Sequence, residues 1–227
     1  MKDIFGKHSR RYDAWYENNK FAYLSELEAI KRFLPKTGKG LEIGVGTGRF
    51  AGPLGIKWGI DPSEKVLKIA RERGVRVRKS HGEKLPFRNN TFDHVVSIVT
   101  LSFVRSPARV IQEAERVLKR NGKIIIGIVP RESFLGKNYL KKRGLFYKAA
   151  NLLTPEEVKD FLKASGFEDI SFCQTIFVLP SKMRSVHKVS EGYARGGFVV
   201  IRAKKHDKGQ KTSSDDLYRR EKHERPD

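Results

Sequence analysis

Residues 41–50, LEIGVGTGRF, place three alternating glycines directly after an apolar run that contains one carboxylate, Glu42. Glycine at positions 44, 46 and 48 permits positive φ angles and lets a ligand approach the backbone with no Cβ in the way. In an open parallel sheet, ligands bind outside the carboxyl ends of the strands. The stretch therefore predicts a first strand that ends in a ligand-binding turn.

Three kinds of ligand compete for such a turn: a triphosphate, a dinucleotide or another adenosine compound. A triphosphate loop requires Lys and then Ser or Thr after its last glycine, whereas Gly48 is followed by Arg49 and Phe50. The dinucleotide pattern needs a glycine at position 49, which is arginine. A carboxylate at Glu42 repels phosphate but suits a ligand with positive charge. S-adenosylmethionine is such a ligand, since it carries a sulfonium and an ammonium.

Outward from this turn, strand-like and helix-like patterns alternate along the chain. Apolar, strand-like runs occupy GLEIGV (40–45), GIKWGI (55–60), VRVRK (75–79), FDHVVSIVT (92–100), KIIIGIV (123–129), EDISFCQTIFVL (168–179) and GGFVVIRAK (196–204). Helix-like runs occupy PSEKVLKIARERG (62–74), SPARVIQEAERVLKRNG (106–122) and TPEEVKDFLKASG (154–166). This alternation is typical of βαβ units, and the last two strands lack a crossover helix. We expect an α/β fold: a Rossmann-like, seven-stranded, mostly parallel sheet with the last strand antiparallel and helices on both faces.

Five segments resemble the class I S-adenosylmethionine-dependent methyltransferases, in the group that includes enzymes of ubiquinone and menaquinone biosynthesis (the methyltransferase type 11 domain group). They are YDAWYE (12–17), LEIGVGTGRF (41–50), GIDPSEKVLKIAR (59–71), GEKLPFRNNTFDHV (82–95) and ERVLKRNGKIIIG (115–127). Their order and spacing follow the family over about residues 10 to 170. The resemblance implies an enzyme that transfers a methyl group from S-adenosylmethionine.

The same resemblance assigns cofactor-binding residues. Glu42 and the backbone at Gly44, Gly46 and Gly48 are expected to hold the methionine end, and Asp61, followed by Pro62, the ribose. Gly82 and Glu83 are expected at the adenine, and Thr100 and Leu101 at the sulfonium. The family often has an acid and an alanine where this chain has His81 and Gly82, which shifts the expected adenine contact to backbone groups or to Glu83.

The chain is predicted to consist of three parts. Apolar residues at helical spacing in 12–34 indicate an N-terminal helical cap over 1–36. A methyltransferase domain over 37–203 carries basic inserts at 130–153 and 179–197. The charged tail, 204–227, has few apolar groups and is expected to be flexible.

Methyl transfer is an in-line displacement that depends mainly on holding the acceptor close to the methyl carbon. Candidate residues for positioning the acceptor are Tyr12, Tyr16, Thr100, Ser102 and His187. Methylation at carbon 5 of a pyrimidine requires a thiolate, and the only cysteine, Cys173, lies in a predicted strand as a small buried hydrophobe. N-methylation is therefore favoured over carbon-5 chemistry. The Asp/Asn-Pro-Pro-aromatic motif of many DNA amine methyltransferases is absent.

The charge balance favours RNA as the acceptor, with ribosomal RNA as one candidate. Lys and Arg number 47 against 26 Asp and Glu, a formal charge of +21, and a basic surface attracts phosphate backbones. Residues 130–149 hold six basic groups and one acid, whereas the tail from 204 holds eight and six, so the excess lies largely on the folded domain. The expected RNA-binding residues are Lys137, Lys141, Lys142, Arg143, Lys182, Arg184, Lys188 and Arg195. Nearby aromatic residues could stack on unpaired bases: Phe134, Tyr139, Phe146, Tyr147 and Tyr193.

An alternative stays open, in which the acceptor is a quinone-like or other small metabolite and these aromatic residues cover a pocket under the N-terminal helices. A non-catalytic, protein-binding role would require a degenerate cofactor site, and the motif set is intact.

Composition also bears on where the protein works. No run of roughly eighteen apolar residues exists, and the first nineteen residues lack the apolar segment of a signal peptide. A single cysteine excludes an intrachain disulfide and a cysteine metal site, and no metal is expected. We expect a cytoplasmic protein, with a basic surface that favours a monomer. Abundant Lys, Arg and Glu would also suit a heat-adapted source.

Overall fold

A computed structural model describes residues 4–142 and 144–206 of the 227-residue chain. The strands are β1 (Gly40–Ile43), β2 (Trp58–Asp61), β3 (Arg76–Lys79), β4 (Phe92–Ile98), β5 (Leu118–Ile128), β6 (Phe167–Thr175), β7 (Ser190–Glu191) and β8 (Phe198–Lys205). The helices are α1 (Ile4–Lys7), α2 (Ser9–Asn18), α3 (Lys20–Lys31), α4 (Glu64–Glu72), α5 (Pro107–Val117), α6 (Phe134–Lys142) and α7 (Pro155–Ala164). Single 3₁₀ turns span Thr100–Phe103, Tyr147–Ala149 and Pro180–Lys182.

The strands form one sheet in the order β3-β2-β1-β4-β5-β8-β6-β7. Strands β1 to β5 pair in parallel, and β8 lies antiparallel between β5 and β6. The predicted Rossmann-like sheet with a reversed last strand is confirmed. It gains an eighth strand, β7, because two residues of the loop before β8 pair with Cys173 and Gln174 at the sheet edge.

Helices cover both faces of the sheet, as predicted. On one face, Leu27 and Ile30 of α3 and Leu67 of α4 belong to one apolar cluster. On the other face, Ile111 of α5 and Leu162 of α7 belong to a second cluster. No helix in the part of the chain that the structure describes is long and apolar enough to cross a membrane.

Local signals set some helix ends and fail at others. The predicted start of α7 is confirmed: the Thr154 hydroxyl accepts a hydrogen bond from the Glu157 amide at 3.1 Å, and Glu157 accepts one from the Thr154 amide at 2.8 Å. In contrast, α5 ends at Val117 and not at Asn121-Gly122, because Leu118 pairs with Phe92 as the first residue of β5. Residues 49–55 form successive turns.

Two segments outside the alternating strand and helix pattern shape the site. Residues 130–153 contain α6 and a 3₁₀ turn where only a basic insert was expected, and α1 to α3 precede the sheet. Of the charged tail, residues 207–227 lie outside the described residues.

Candidate active site

A cavity of about 410 Å³ opens at the carboxyl ends of β1, β2 and β4. Its walls come from the glycine-rich turn after β1, the end of β2, the loop at 81–83 and the residues that follow β4. Side chains of α1, α2, α3 and α6 and of the second 3₁₀ turn cover it. This is the position where ligands bind in open α/β sheets.

The glycines of the turn after β1 are required by positive φ angles and by close packing against neighbouring side chains. Gly44 has a φ of +73°, and a Cβ there would lie 2.2 Å from the Thr100 hydroxyl oxygen. Gly46, with a φ of +52°, also lines the cavity. Gly48 does not line it: a Cβ there would lie 3.3 Å from Ala70 of α4, so this glycine allows the helix to pack against the turn. Gly48 was expected beside the ligand, but in the structure it does not line the cavity.

Asp61 ties the turn to the end of β2. Its Oδ2 atom accepts a hydrogen bond from the Gly46 amide at 3.2 Å, and Oδ1 accepts one from the Ser63 amide at 2.9 Å. Asp61 and Pro62 both line the cavity. The expectation that Asp61 accepts hydrogen bonds from the hydroxyls of a ribose stays a prediction.

Glu42 lies beneath the turn and does not line the cavity. Burial raises the pKa of its carboxyl well above the ordinary value, the Ala51 amide lowers it by hydrogen bonding, and the charge of Asp61 raises it further. Its buried Oε2 atom has no hydrogen-bond partner among the described residues. A buried polar atom without a partner is costly, and positive charge arriving near the turn would stabilise it.

The loop at 81–83 lines the cavity through His81, Gly82 and Glu83. The Oε1 atom of Glu83 accepts hydrogen bonds from the Arg105 amide at 2.9 Å and from the Ser106 amide at 3.4 Å. These interactions fix the loop to the segment before α5. Gly82 is buried, and a Cβ there would lie 3.0 Å from Ile43.

After β4, the chain places only part of the predicted set in the cavity. Thr100 lines it, and its hydroxyl lies 3.2 Å from the Ile43 carbonyl and 3.1 Å from that of Ile98. Leu101 is 2% exposed, packs in the core on the α5 face and does not line the cavity where the sulfonium was expected. The 3₁₀ turn after Val99 directs Leu101 away, and Val99 lines the cavity with a φ of +58°.

The candidates for positioning the acceptor separate into two groups. Tyr12 and Tyr16 line the cavity, and their hydroxyl oxygens lie 2.7 Å apart. Ser102 does not, because it is buried in the first 3₁₀ turn. His187 lies outside the cavity: its amide donates to the Ser25 hydroxyl at 2.9 Å, and its Nδ1 atom accepts from the Phe177 amide at 3.0 Å.

Among the residues that cover the cavity, sequence reasoning missed Glu26 and included the aromatic residues only in its small-molecule alternative. Glu26 of α3 lines it although only 5% of the residue is exposed. Tyr139 and Tyr147 also line it, with their rings stacked at 4.0 Å, as does Phe146, whose ring stacks on Phe5 at 5.2 Å. Glu26 could have been noticed in the sequence, because it is an acidic residue on the apolar side of the helical pattern in 12–34.

The residues present fit S-adenosylmethionine on structural grounds. The turn brings bare backbone to the cavity at Gly44 and Gly46, a carboxylate stands at the end of β2, and a buried carboxyl atom of Glu42 lies unpaired beneath. The fold and this cavity define a class I S-adenosylmethionine-dependent methyltransferase.

Comparison with known proteins gives the same class. The methyltransferase domain family matches residues 41–126. A crystal structure from Thermotoga maritima, of an S-adenosylmethionine-dependent methyltransferase described as a possible histamine N-methyltransferase, is 47% identical with a TM-score of 0.88. The match covers 90% of this chain and 100% of that chain. The chain belongs to the S-adenosylmethionine-dependent methyltransferases, and S-adenosylmethionine is its cofactor.

Two other relatives extend the comparison. An uncharacterized protein from Methanocaldococcus jannaschii is 50% identical over 205 residues, which cover 89% of this chain and 99% of that protein. A demethylmenaquinone methyltransferase from Anoxybacillus flavithermus is 29% identical over 160 residues, which cover 67% of this chain and 63% of that protein.

Proposed function

We propose that the protein transfers the methyl group of S-adenosylmethionine to a small molecule held in the aromatic part of the cavity. The observation that carries this proposal is the orientation of Tyr139, Phe146 and Tyr147. These residues were expected to stack on RNA bases at the surface, and instead they line the cavity beneath α1 and α2. An acceptor that reaches them must fit inside a cavity of about 410 Å³, which suits a metabolite.

In this proposal the two ends of the cavity have separate tasks. Gly44 and Gly46 hold the methionine end of the cofactor, Asp61 the ribose, and Gly82 the adenine. When bound, S-adenosylmethionine supplies an electrophilic methyl group on a sulfonium. The covering helices exclude water and hold the acceptor in line with that group, which is the main source of rate enhancement in such displacements.

The acceptor atom is not carbon 5 of a pyrimidine, because that reaction requires a thiolate. Cys173 is fully buried, its Sγ atom lies 3.6 Å from the Ala29 carbonyl, and it does not line the cavity. Burial raises the pKa of this thiol to about 11, so it does not supply a thiolate. The names of two relatives, one a possible histamine N-methyltransferase and one a demethylmenaquinone methyltransferase, both indicate small acceptors.

RNA is the second candidate, and the exposed basic surface favours it. Seven of the eight expected RNA-binding side chains are exposed and form no ion pair within the described residues: Lys137, Lys141, Lys142, Lys182, Arg184, Lys188 and Arg195. Arg143 lies outside the described residues. Unpaired positive charge of this kind favours a polyanion.

Methyl-labelled S-adenosylmethionine separates the two candidates. The protein is incubated with total RNA and, separately, with a cell extract freed of nucleic acid and protein. We expect label in the small-molecule fraction and none in RNA. The double variant Lys141→Glu/Lys142→Glu serves as the matched control, because it reverses exposed charge without touching the cavity, and it should label the small-molecule fraction as the parent does. The proposal would be contradicted if the parent protein labelled RNA and this variant did not.

A further inference from the structure

Glu26 is a buried carboxyl group that opens onto the cavity without a partner. It lies on α3, only 5% of the residue is exposed, and it lines the wall. Among residues 4–142 and 144–206 its carboxyl group takes part in no hydrogen bond or ion pair, whereas that of the neighbouring Glu28 on the same helix pairs with Lys31 at 3.0 Å. A buried carboxylate without such compensation is costly, so this position calls for a functional explanation.

Aromatic residues line the same cavity as this carboxyl group. They include Tyr12 and Tyr16 on α2, Tyr139 on α6 and Tyr147 on the second 3₁₀ turn. Burial raises the pKa of each of these phenols and the negative charge of Glu26 raises it further, so the phenols stay neutral. The basic side chains of the cavity wall, His81 and Arg105, form no ion pair with Glu26 in the described chain.

This combination has a definite ligand preference. A carboxylate compensates a cation by charge, and the faces of aromatic rings stabilise a cation through their quadrupoles. A neutral quinol or a thiol gains little from such surroundings, and a phosphate or carboxylate ligand would be repelled. The aromatic part of the cavity therefore favours a ligand that carries a positively charged nitrogen on an apolar or aromatic group.

Resting on the proposed function, we infer that the methyl acceptor is a small amine, and that Glu26 binds its nitrogen and takes its proton. In the step, the carboxylate accepts a proton from the ammonium, which frees the nitrogen lone pair. The lone pair forms the new N–C bond while the C–S bond breaks and its electron pair stays on sulfur, which turns the sulfonium into a thioether. The methylated nitrogen holds the positive charge, and the proton on Glu26 passes to solvent.

Binding of an amine should be coupled to proton release. Burial raises the pKa of the Glu26 carboxyl to about 8 in the free protein, so at neutral pH it is mostly protonated. An ammonium bound beside it favours the carboxylate, and the proton leaves. Since one proton is released, the affinity should rise by about tenfold per pH unit below pH 8 and level off above it. The other titratable or charged groups of the cavity wall are the neutral tyrosines named above and Asp61, His81, Glu83 and Arg105. Outside the wall, the charge of Glu26 also raises the pKa of Tyr23 on α3, after burial and against the charges of Arg49 and Arg73.

The test compares 2-phenylethylamine with 2-phenylethanol, which has the same shape without the charge. Calorimetric titration of the full chain at pH 7, in two buffers of different ionisation enthalpy, gives affinity and proton release together. We expect at least tenfold tighter binding of the amine, with about one proton released. Glu26→Gln should abolish the preference and the release, and the matched Glu28→Gln variant should keep both.

Two outcomes would overturn the inference: equal binding of the two probes by the parent protein, or an undiminished preference in Glu26→Gln. The parent measurement decides the question even where the variant is unstable. The labelling experiment separates these failures from failure of the proposed function. Label in a neutral small molecule would contradict only the inference that the acceptor is an amine. Label in RNA would contradict the proposed function, that the acceptor is a small molecule.

Discussion

The hydroxyl of Thr47 donates a hydrogen bond to the Asp13 carboxylate at 2.6 Å, and this contact fixes α2 to the glycine-rich turn. Arg49 and Arg73 complete the junction, because each donates to the same carboxylate, at 3.2 and 2.5 Å. Arg49, the residue that argued against a dinucleotide, also pairs with Glu17 and so turns toward α2. The arginine that replaces a phosphate-binding glycine thus anchors the cover of the cavity.

Replacing Asp13 by Asn should loosen this junction. Burial opposes ionisation of Asp13, but the hydrogen bonds from Arg73 and Thr47 and the two guanidinium charges outweigh it, so its pKa lies below the ordinary value. Because hydrogen bonds to a charged group are worth about 1.5–3 kcal/mol, we expect a loss of that size in the free energy of unfolding, measured in urea. Glu17→Gln, at the exposed end of the same network, should cost less than about 0.5 kcal/mol. Equal losses in both would contradict a special role for Asp13.

The same junction predicts a pH dependence. A lowered pKa in the folded state means that Asp13 contributes stability above its unfolded value of about 4, and that this contribution disappears as the pH falls through the folded value. The difference in melting temperature between the parent and Asp13→Asn should therefore be constant above about pH 5 and should shrink below about pH 4. A difference that stays constant down to pH 2 would exclude ionised Asp13 as its source.

Asp61 should be needed for cofactor binding. Asp61→Ala removes the expected ribose acceptor and also the acceptor of the Gly46 amide, so affinity for S-adenosylmethionine should fall at least about tenfold. Calorimetry measures this directly. Asp93→Ala is a matched control, since Asp93 likewise accepts from a backbone amide, that of Lys39 at 2.7 Å, but at the amino end of β4. If both variants bind as the parent does, Asp61 has no part in holding the ribose.

Close packing at Gly44 should make it less tolerant than other glycines with positive φ. In Gly44→Ala the new methyl group would meet the Thr100 side chain at 2.2 Å, in addition to the cost of a left-handed alanine. Gly55 has a φ of +68°, and an added Cβ there would have nothing within 4 Å. Gly55→Ala therefore measures the backbone cost alone, about 1–2 kcal/mol. Urea unfolding should therefore show a larger loss for Gly44→Ala than for Gly55→Ala. A loss no larger than that of Gly55→Ala would mean that Thr100 moves away freely.

The sequence predicted the parts of the site that depend on local pattern. The glycine-rich turn and Asp61 follow strands of recognisable period, and both reached the cavity. Leu101 and Ser102 did not, because the left-handed Val99 and the turn after it change which side chains face the cavity. The spacing of apolar residues in the sequence does not indicate a left-handed residue such as Val99 or the direction of the turn after it.

The cover of the cavity was harder still to predict. Helical spacing showed that 12–34 has an apolar face. It did not show that Glu26 of α3 would line the cavity, which depends on packing against distant elements. Tyr139 and Tyr147 lie among lysines in the sequence, so their composition suggested a surface for RNA. Their inward direction follows from the stacking of the two rings and the formation of α6.

A final prediction concerns the loop at 82–88, which begins at the residues proposed to contact the adenine. Arg116 of α5 donates to both carboxylate oxygens of Glu113 at 2.8 Å and to the carbonyls of Leu85 and Phe87 at 3.1 and 2.8 Å. Glu113, which is 5% exposed, also accepts from the Leu85 amide at 2.7 Å.

Arg116→Met leaves a buried carboxylate without its cation, which should cost about 3 kcal/mol of unfolding free energy. It should also raise amide hydrogen exchange at residues 82–88 and weaken cofactor binding, because the loop loses its support. Arg109→Met is the control: Arg109 lies 3.7 Å from Glu113 on the same helix, but its side chain is 56% exposed, so its loss should cost less than about 0.5 kcal/mol. Equal exchange in the two variants would show that the loop is held by its own backbone and by Glu83 instead.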